Sequence, residues 1–200
     1  ALSGEKVSKS YDSFTVEGYR LGVKLEQQPP IMVAALREGM LRLAGREGDG
    51  AIINWCSPDD VPQLTKVVND AAGGAEREIV ARIFVCPSEN AEVVRAGARF
   101  AIAAYMNVPV YAEYQRWLGR GPLLQGMWDA WKAGDRKAAL AAIPDEVVDQ
   151  LVVHGSAEHC RATVQRYFDN GVTTSSLAIL PLDPELKFWD AVRSLAPTAG

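Results

Sequence analysis

Leu36-Arg37-Glu38-Gly39 stands directly behind an apolar run at residues 31–35 and directly ahead of a helical pattern. A helix opening there leaves its first backbone N–H groups without intrahelical partners, and its dipole favours negative charge. Leu36, Arg37, Glu38 and Gly39 are therefore a candidate anion site of the phosphate-binding kind. A plain strand-to-helix turn fits the same residues. Glu38 opposes an anion and Arg37 beside it can compensate. Asn54 and Trp55 close a second apolar run, residues 51–55. A Trp at the carboxyl end of a strand can wall a planar ring or a substrate, and it can equally plug the end of a sheet.

The other reactive side chains carry less. Cys56 has no histidine near it in sequence to activate a thiolate. His154 and His159 flank a helix start and read as surface or cap-adjacent groups. Asp59-Asp60 and Asp145-Glu146 fit first turns of helices, where negative charge meets the positive end of the dipole. Trp117, Trp128 and Trp131 fit helix packing or a subunit interface. No His, Cys, Asp and Glu set has metal-ligand spacing, so no metal is expected.

The elements that must position these residues follow from periodicity. Residues 31–35 and 51–55 are short apolar strands, fit for burial on both faces. Between them Met40, Leu41, Leu43 and Ala44 recur at helical spacing, with Arg42 and Arg46 opposite and a Gly48-Asp49-Gly50 turn after them. Parallel strands joined by a helix form a βαβ unit, which binds ligands at the strands' carboxyl ends. A further strand is expected at 79–86 and a last one at 177–180. A hairpin is expected over 13–25, turning at Glu17-Gly18. Helices are expected after Ser57, over 90–118 with a break at Pro109, over 123–142, 144–153, 157–170 and 184–195.

Two hundred residues with 48% hydrophobic and 23% charged side chains suffice for one domain with a real core. A net charge of −4 favours neither nucleic acid nor an anionic membrane. No apolar run reaches bilayer-spanning length. Three cysteines, far apart and without a CxxC, argue against a disulfide framework and for a reducing compartment, with the cytoplasm as the default.

The segment PxxVAALxxxMLRLAGxxGDGxIxNW, from Pro30 to Trp55, resembles the fifth strand, fifth helix and sixth strand of the bacterial luciferase-like family. The Ala-Gly-x-x-Gly-Asp-Gly piece is its most specific part. The Asn-Trp that follows is similar to the branch using the deazaflavin coenzyme F-420. The resemblance implies an α/β fold of the (β/α)8 TIM-barrel type. Residues 1–28 would be a hairpin lead-in over the barrel mouth, 29–86 a core βαβαβ, 87–155 a helical insert and 156–200 the last helix-strand-helix. It further implies that the cofactor phosphate sits over Ala35 to Leu41, with Asn54 and Trp55 facing ring or substrate. The family often has Gly-Gly-Pro or Gly-Pro where this chain has Leu-Arg-Glu.

A barrel of this type takes roughly 250 residues, and only four parallel strands are countable here. The expectation is therefore a half-barrel, strands five to eight of a longer enzyme. The family's acid/base His and Glu belong to the N-terminal half, so catalytic residues are unassigned and the chain alone is expected to be inactive. The expected partners are a small organic substrate and a missing half-barrel or a second copy, giving an oligomer. The expected activity is hydride transfer between coenzyme F-420 and the substrate. The alternatives are an FMN-dependent monooxygenase and a non-catalytic flavin-binding or structural half-barrel.

Overall fold

The computed structural model describes residues 1–197, which divide into two units, Ala1–Ile31 and the chain from Met32 onward. The first unit is a hairpin of β1 (Val7–Ser10) and β2 (Thr15–Tyr19). It is displaced from the expected hairpin. The turn lies at Tyr11 to Phe14, where Tyr11 N–H meets Phe14 O at 2.8 Å and the two rings stack. Glu17-Gly18 lies inside β2. Gly18 has φ +64° and takes up a register shift between Val7 and Lys9, its N–H donating to Ser8 Oγ at 2.9 Å. The glycine's left-handed freedom thus serves a bulge rather than a turn, while Asp12 and Ser13 supply the turn chemistry. The alternating residues beyond Tyr19 form no strand.

The second unit is built on a parallel sheet. Its strands are β3 (Met32–Ala34), β4 (Gly50–Asn54), β5 (Glu78–Cys86) and β7 (Thr174–Ile179), side by side in sequence order. Between β5 and β7 the chain adds β6 (Val153–His154), a two-residue strand paired with Val85 and Cys86. The expected strands are all present. The last begins three residues earlier than expected, at Thr174, because its first half is Thr-Ser-Ser on a half-exposed strand and breaks the apolar pattern. β6 was expected as the end of a helix, and two residues are too short to show a period.

Alternation sorts the sheet's faces. Ala51, Ile53, Ile79, Ala81, Ile83 and Val85 are buried under helices. Each fully buried Ile contributes about 1.5–3 kcal/mol relative to exposure. The register places Ile52, Asn54, Val80, Arg82 and Phe84 on the other face. The glycine-rich motif has a steric reason. A Cβ at Gly45, in α1 (Glu38–Glu47), would lie 2.3 Å from Val68 O of α2 (Val61–Ala71). A Cβ at Gly50 would lie 2.3 Å from Glu78 O. Those two glycines let helix meet helix and strand meet strand.

Between β5 and β6 stand α3 (Ala91–Met106), α4 (Pro109–Trp117), α5 (Gly121–Lys132), α6 (Arg136–Ala141) and α7 (Asp145–Leu151). The break between α3 and α4 falls at Asn107-Val108, with Pro109 as the first helical residue, where its missing N–H costs nothing. Asn107 Nδ2 donates to the carbonyls of Ala103 and Ala104, both at 2.7 Å, and closes the end of α3. Ser156 caps α8 (Ala157–Asp169) through His159 N–H, and Gly171 follows at φ +109°. α9 (Phe188–Leu195) starts four residues later than expected. No described helix is long and apolar enough to cross a membrane.

Candidate functional site

A cleft of about 680 Å³ opens at the carboxyl end of β3. One wall is Ala34 with Leu36, Arg37, Glu38, Gly39 and Met40; the other is Val110 and Trp117 of α4. Arg37 is the N-cap of α1, extended at φ −122° and ψ 173°, and no side chain caps the helix. The first intrahelical bond runs from Leu41 N–H to Arg37 O at 3.0 Å. The amides of Glu38, Gly39 and Met40 thus keep their hydrogen-bonding capacity and carry the positive end of the dipole. A Cβ at Gly39 would meet nothing within 4 Å, so the backbone there borders open space.

The charges at this opening sort themselves. Glu38 pairs with Arg42 at 3.3 Å, one turn further along α1, and not with Arg37. Among the described residues the Arg37 side chain has no ion-pair partner, and it is exposed. Ala35 and Leu41 do not line the cleft. Ala35 N–H bonds Ile52 O at 2.9 Å and prolongs the sheet, while Leu41 is fully buried behind the turn.

Asn54 and Trp55 lie one strand over. Trp55 has φ +49°, the left-handed region, and is the one described non-glycine residue there. A bulky side chain in that region is a genuine outlier, found where surrounding structure enforces it. The turn swings the ring onto Phe84, at 4.0 Å between centroids, with Tyr105 at 5.0 Å beyond. Trp55 is 1% exposed and does not line the cleft. Its Nε1 and the Asn54 Oδ1 are buried without hydrogen-bond partners.

A polar network holds this strained segment. Gln115 Nε2 of α4 donates to Trp55 O at 2.8 Å, and the Tyr167 hydroxyl of α8 donates to Cys56 O at 2.7 Å. Asp60, in a single 3-10 turn over Pro58–Asp60, accepts from Ser57 N–H at 2.6 Å. Arg120, 4% exposed, meets Asp60 at 2.6 Å, Ser57 Oγ at 3.1 Å, Gln150 Oε1 at 2.6 Å and Gln115 Oε1 at 3.3 Å. Sequence reasoning passed over Gln115, inside a helical stretch, and Arg120, between two helices, since polar residues at such positions read as solvated. Arg82 was also passed over. It is the lone charge in the otherwise apolar stretch Ile79 to Cys86, and that interruption was readable. Its guanidinium lies over the Phe84 ring at 4.8 Å.

The remaining reactive groups are quiet. Burial, with Asp60 adding to it, pushes the Cys56 thiol up to about 12 against the pull of Tyr114 and Arg120, so it is protonated and no nucleophile. Burial pushes Asp149 up, but hydrogen bonds from Arg95 and His154 outweigh it and hold the carboxyl below its usual range. His154 Nε2 is 2.9 Å from Asp149 Oδ1, and His159 lies in the first turn of α8. No group of three or more His, Cys, Asp or Glu among the described residues could hold a metal ion.

A parallel α/β sheet with a cleft at its strands' carboxyl ends defines the architecture, and sequence comparison gives the family. The family model for luciferase-like monooxygenases matches residues 1–174, and the chain belongs to that family. A 5,10-methylenetetrahydromethanopterin reductase of Methanolobus tindarius is 27% identical over 179 residues, covering 86% of this chain and 54% of the relative. The coenzyme F-420-dependent tetrahydromethanopterin reductase of Methanopyrus kandleri superposes with a TM-score of 0.74 at 16% identity, covering 97% of this chain and 57% of that one. An F-420-dependent secondary alcohol dehydrogenase, in complex with an F-420-acetone adduct, superposes at 0.64 with 14% identity, covering 96% and 56%. The chain thus spans about half the length of these relatives.

Proposed function

We propose that this chain is the cofactor-phosphate portion of a coenzyme F-420-dependent oxidoreductase, contributing strands five to eight of a (β/α)8 barrel. The observation that carries the reading is the cleft bounded by the uncapped start of α1, where the amides of Glu38, Gly39 and Met40 border open space and Glu38 is drawn off by Arg42. Those amides would hold a phosphate through charge-assisted hydrogen bonds, with Arg37 as a nearby counter-charge. Val110 and Trp117 would cover the linker beyond the phosphate. When bound, the deazaflavin would supply the hydride chemistry. The residues of this chain bind, orient and exclude water. The acid/base groups are expected from the N-terminal half of the longer enzyme.

The M. tindarius relative and the two solved structures, two reductases and a dehydrogenase, favour a reductase or dehydrogenase over an FMN monooxygenase. The substrate would be a small organic molecule. Fluorescence titration of the purified chain with F-420 and with FMN tests the reading. Tighter binding of F-420 is expected. Preferential binding of FMN would move the assignment to the monooxygenase branch, and no binding of either would leave the structural half-barrel.

A further inference from the structure

We propose that Gln115 and Arg120 are positioning residues that set the width of the cofactor cleft, by clamping α4 to the segment that follows β4. The inference rests on the cleft being the cofactor-phosphate site.

The two walls of the cleft belong to different parts of the fold. The loop from Leu36 to Met40 grows directly out of β3, so the sheet fixes it. Val110 and Trp117 ride on α4, which belongs to no sheet. Something else must hold α4 at its distance. The inward side of α4 carries Ala112, Tyr114 and Gln115, all buried. Of these, Gln115 reaches the end of β4 through a hydrogen bond to Trp55 O. That carbonyl is available because Trp55 turns left-handed and leaves the strand ladder. The other end of the same amide, Oε1, accepts from Arg120. Arg120 in turn grips Ser57 and Asp60, three to six residues beyond Asn54.

The result is a closed circuit of α4, Arg120, the segment of Ser57 to Asp60, and Trp55. The side chains that form its hydrogen bonds, Gln115, Arg120, Ser57 and Asp60, are buried or nearly so, where hydrogen bonds are stronger than at the surface. A circuit of this kind fixes the helix axis against the sheet. It therefore fixes how far Val110 and Trp117 stand from the amides of Glu38 and Gly39.

The clamp predicts a split that general loss of stability does not. A ligand that spans both walls needs the cleft width; one that touches only the start of α1 does not. The test is NMR titration of the 200-residue chain and its Gln115→Met variant, following the amides of Glu38, Gly39 and Met40. The probes are coenzyme F-420 and inorganic phosphate. Gln115→Met keeps the volume and removes both hydrogen bonds. The expected result is F-420 affinity weakened by about tenfold with phosphate affinity unchanged. Equal affinity for F-420 in the folded variant overturns the clamp, as does parallel weakening of both probes. If Gln115→Met fails to fold, Arg120→Lys gives the same split, since it keeps the charge facing Asp60 and loses the fork that reaches Gln115. Wild-type chain that binds neither probe at these amides overturns the cofactor-site reading, and the clamp falls with it. That result is told apart from the others because it appears before any substitution.

Discussion

Arg120 Nη2 lies 2.6 Å from Asp60 Oδ2, with the two side chains 5% and 11% exposed. Asp60 also accepts from Ser57 N–H and Oγ, so one carboxylate serves as helix cap and as counter-ion. Buried ion pairs of this kind contribute little net stability against an apolar replacement, yet removing one partner leaves a charge stranded.

Arg120→Met is therefore expected to destabilise the chain by about 3–5 kcal/mol, measured by urea denaturation. Asp60→Asn should cost less, because the amide oxygen still accepts from Ser57. The double variant should cost less than the sum of the singles. Additive losses would show that the two charges are not coupled.

Gly45 and Gly39, both in α1, should respond to alanine in opposite ways. At Gly45 the new Cβ would be 2.3 Å from Val68 O and 2.9 Å from Ala71 Cβ, so α1 and α2 must separate. A loss of about 1–3 kcal/mol is expected, as for other overpacked contacts. At Gly39 the Cβ meets nothing within 4 Å. Gly39→Ala should gain up to about 1 kcal/mol from helix propensity and keep its N–H donor. Thermal unfolding of both variants checks the sign of each.

Much of this fold was legible because its strands are apolar runs. Residues 79–86 announce β5 despite Arg82, and Pro109 announces the break between α3 and α4. What was not legible depends on partners remote in sequence. Trp55 reads equally as a wall or a plug until its φ of +49° is known, and that angle is held by Gln115, sixty residues away. Arg120 looks like a solvated cation until four partners from three other segments enclose it. The hairpin went astray for a local reason, since Gly18 suits a turn and a bulge alike. At the cleft, the sequence marked the turn from Leu36 to Met40, but nothing in it could show that α4 forms the opposite wall.

Acid should act through Asp149. Its carboxyl is held below the ordinary 3.8 by Arg95 and His154, which outweigh burial. A depressed carboxylate contributes stability that is complete above the unfolded value and lost as pH falls through the lower folded one. Asp149→Asn should remove part of the stability change below about pH 4. An acid limb identical to wild type would show that this network does not govern it. At the alkaline end the sign is reversed for Cys56. Its raised folded value means that the unfolded chain sheds the proton first, so stability falls as pH rises from 9.0 toward about 12. Cys56, Cys86 and Cys160 are all buried, so none should react with a thiol reagent before denaturation.

Gly39→Pro is the sharpest test of the cleft. Proline removes one of the amide donors at the start of α1 while fitting the first turn of a helix, where that N–H has no intrahelical partner. A phosphate held by these amides should lose roughly one hydrogen bond to a charged group, about 1.5–3 kcal/mol, or on the order of a hundredfold in affinity near the upper end. Gly39→Ala, which keeps the donor, is the matched control. Glu38 is the residue that could have spoiled the site, and its pairing with Arg42 removes the objection only while that pair is formed. Arg42→Ala should therefore weaken phosphate binding modestly by releasing Glu38, and Glu38→Gln should strengthen it, both effects shrinking at high salt. Circular dichroism would establish that the Gly39→Pro variant is folded. Unchanged F-420 affinity in that folded variant would move the phosphate away from α1.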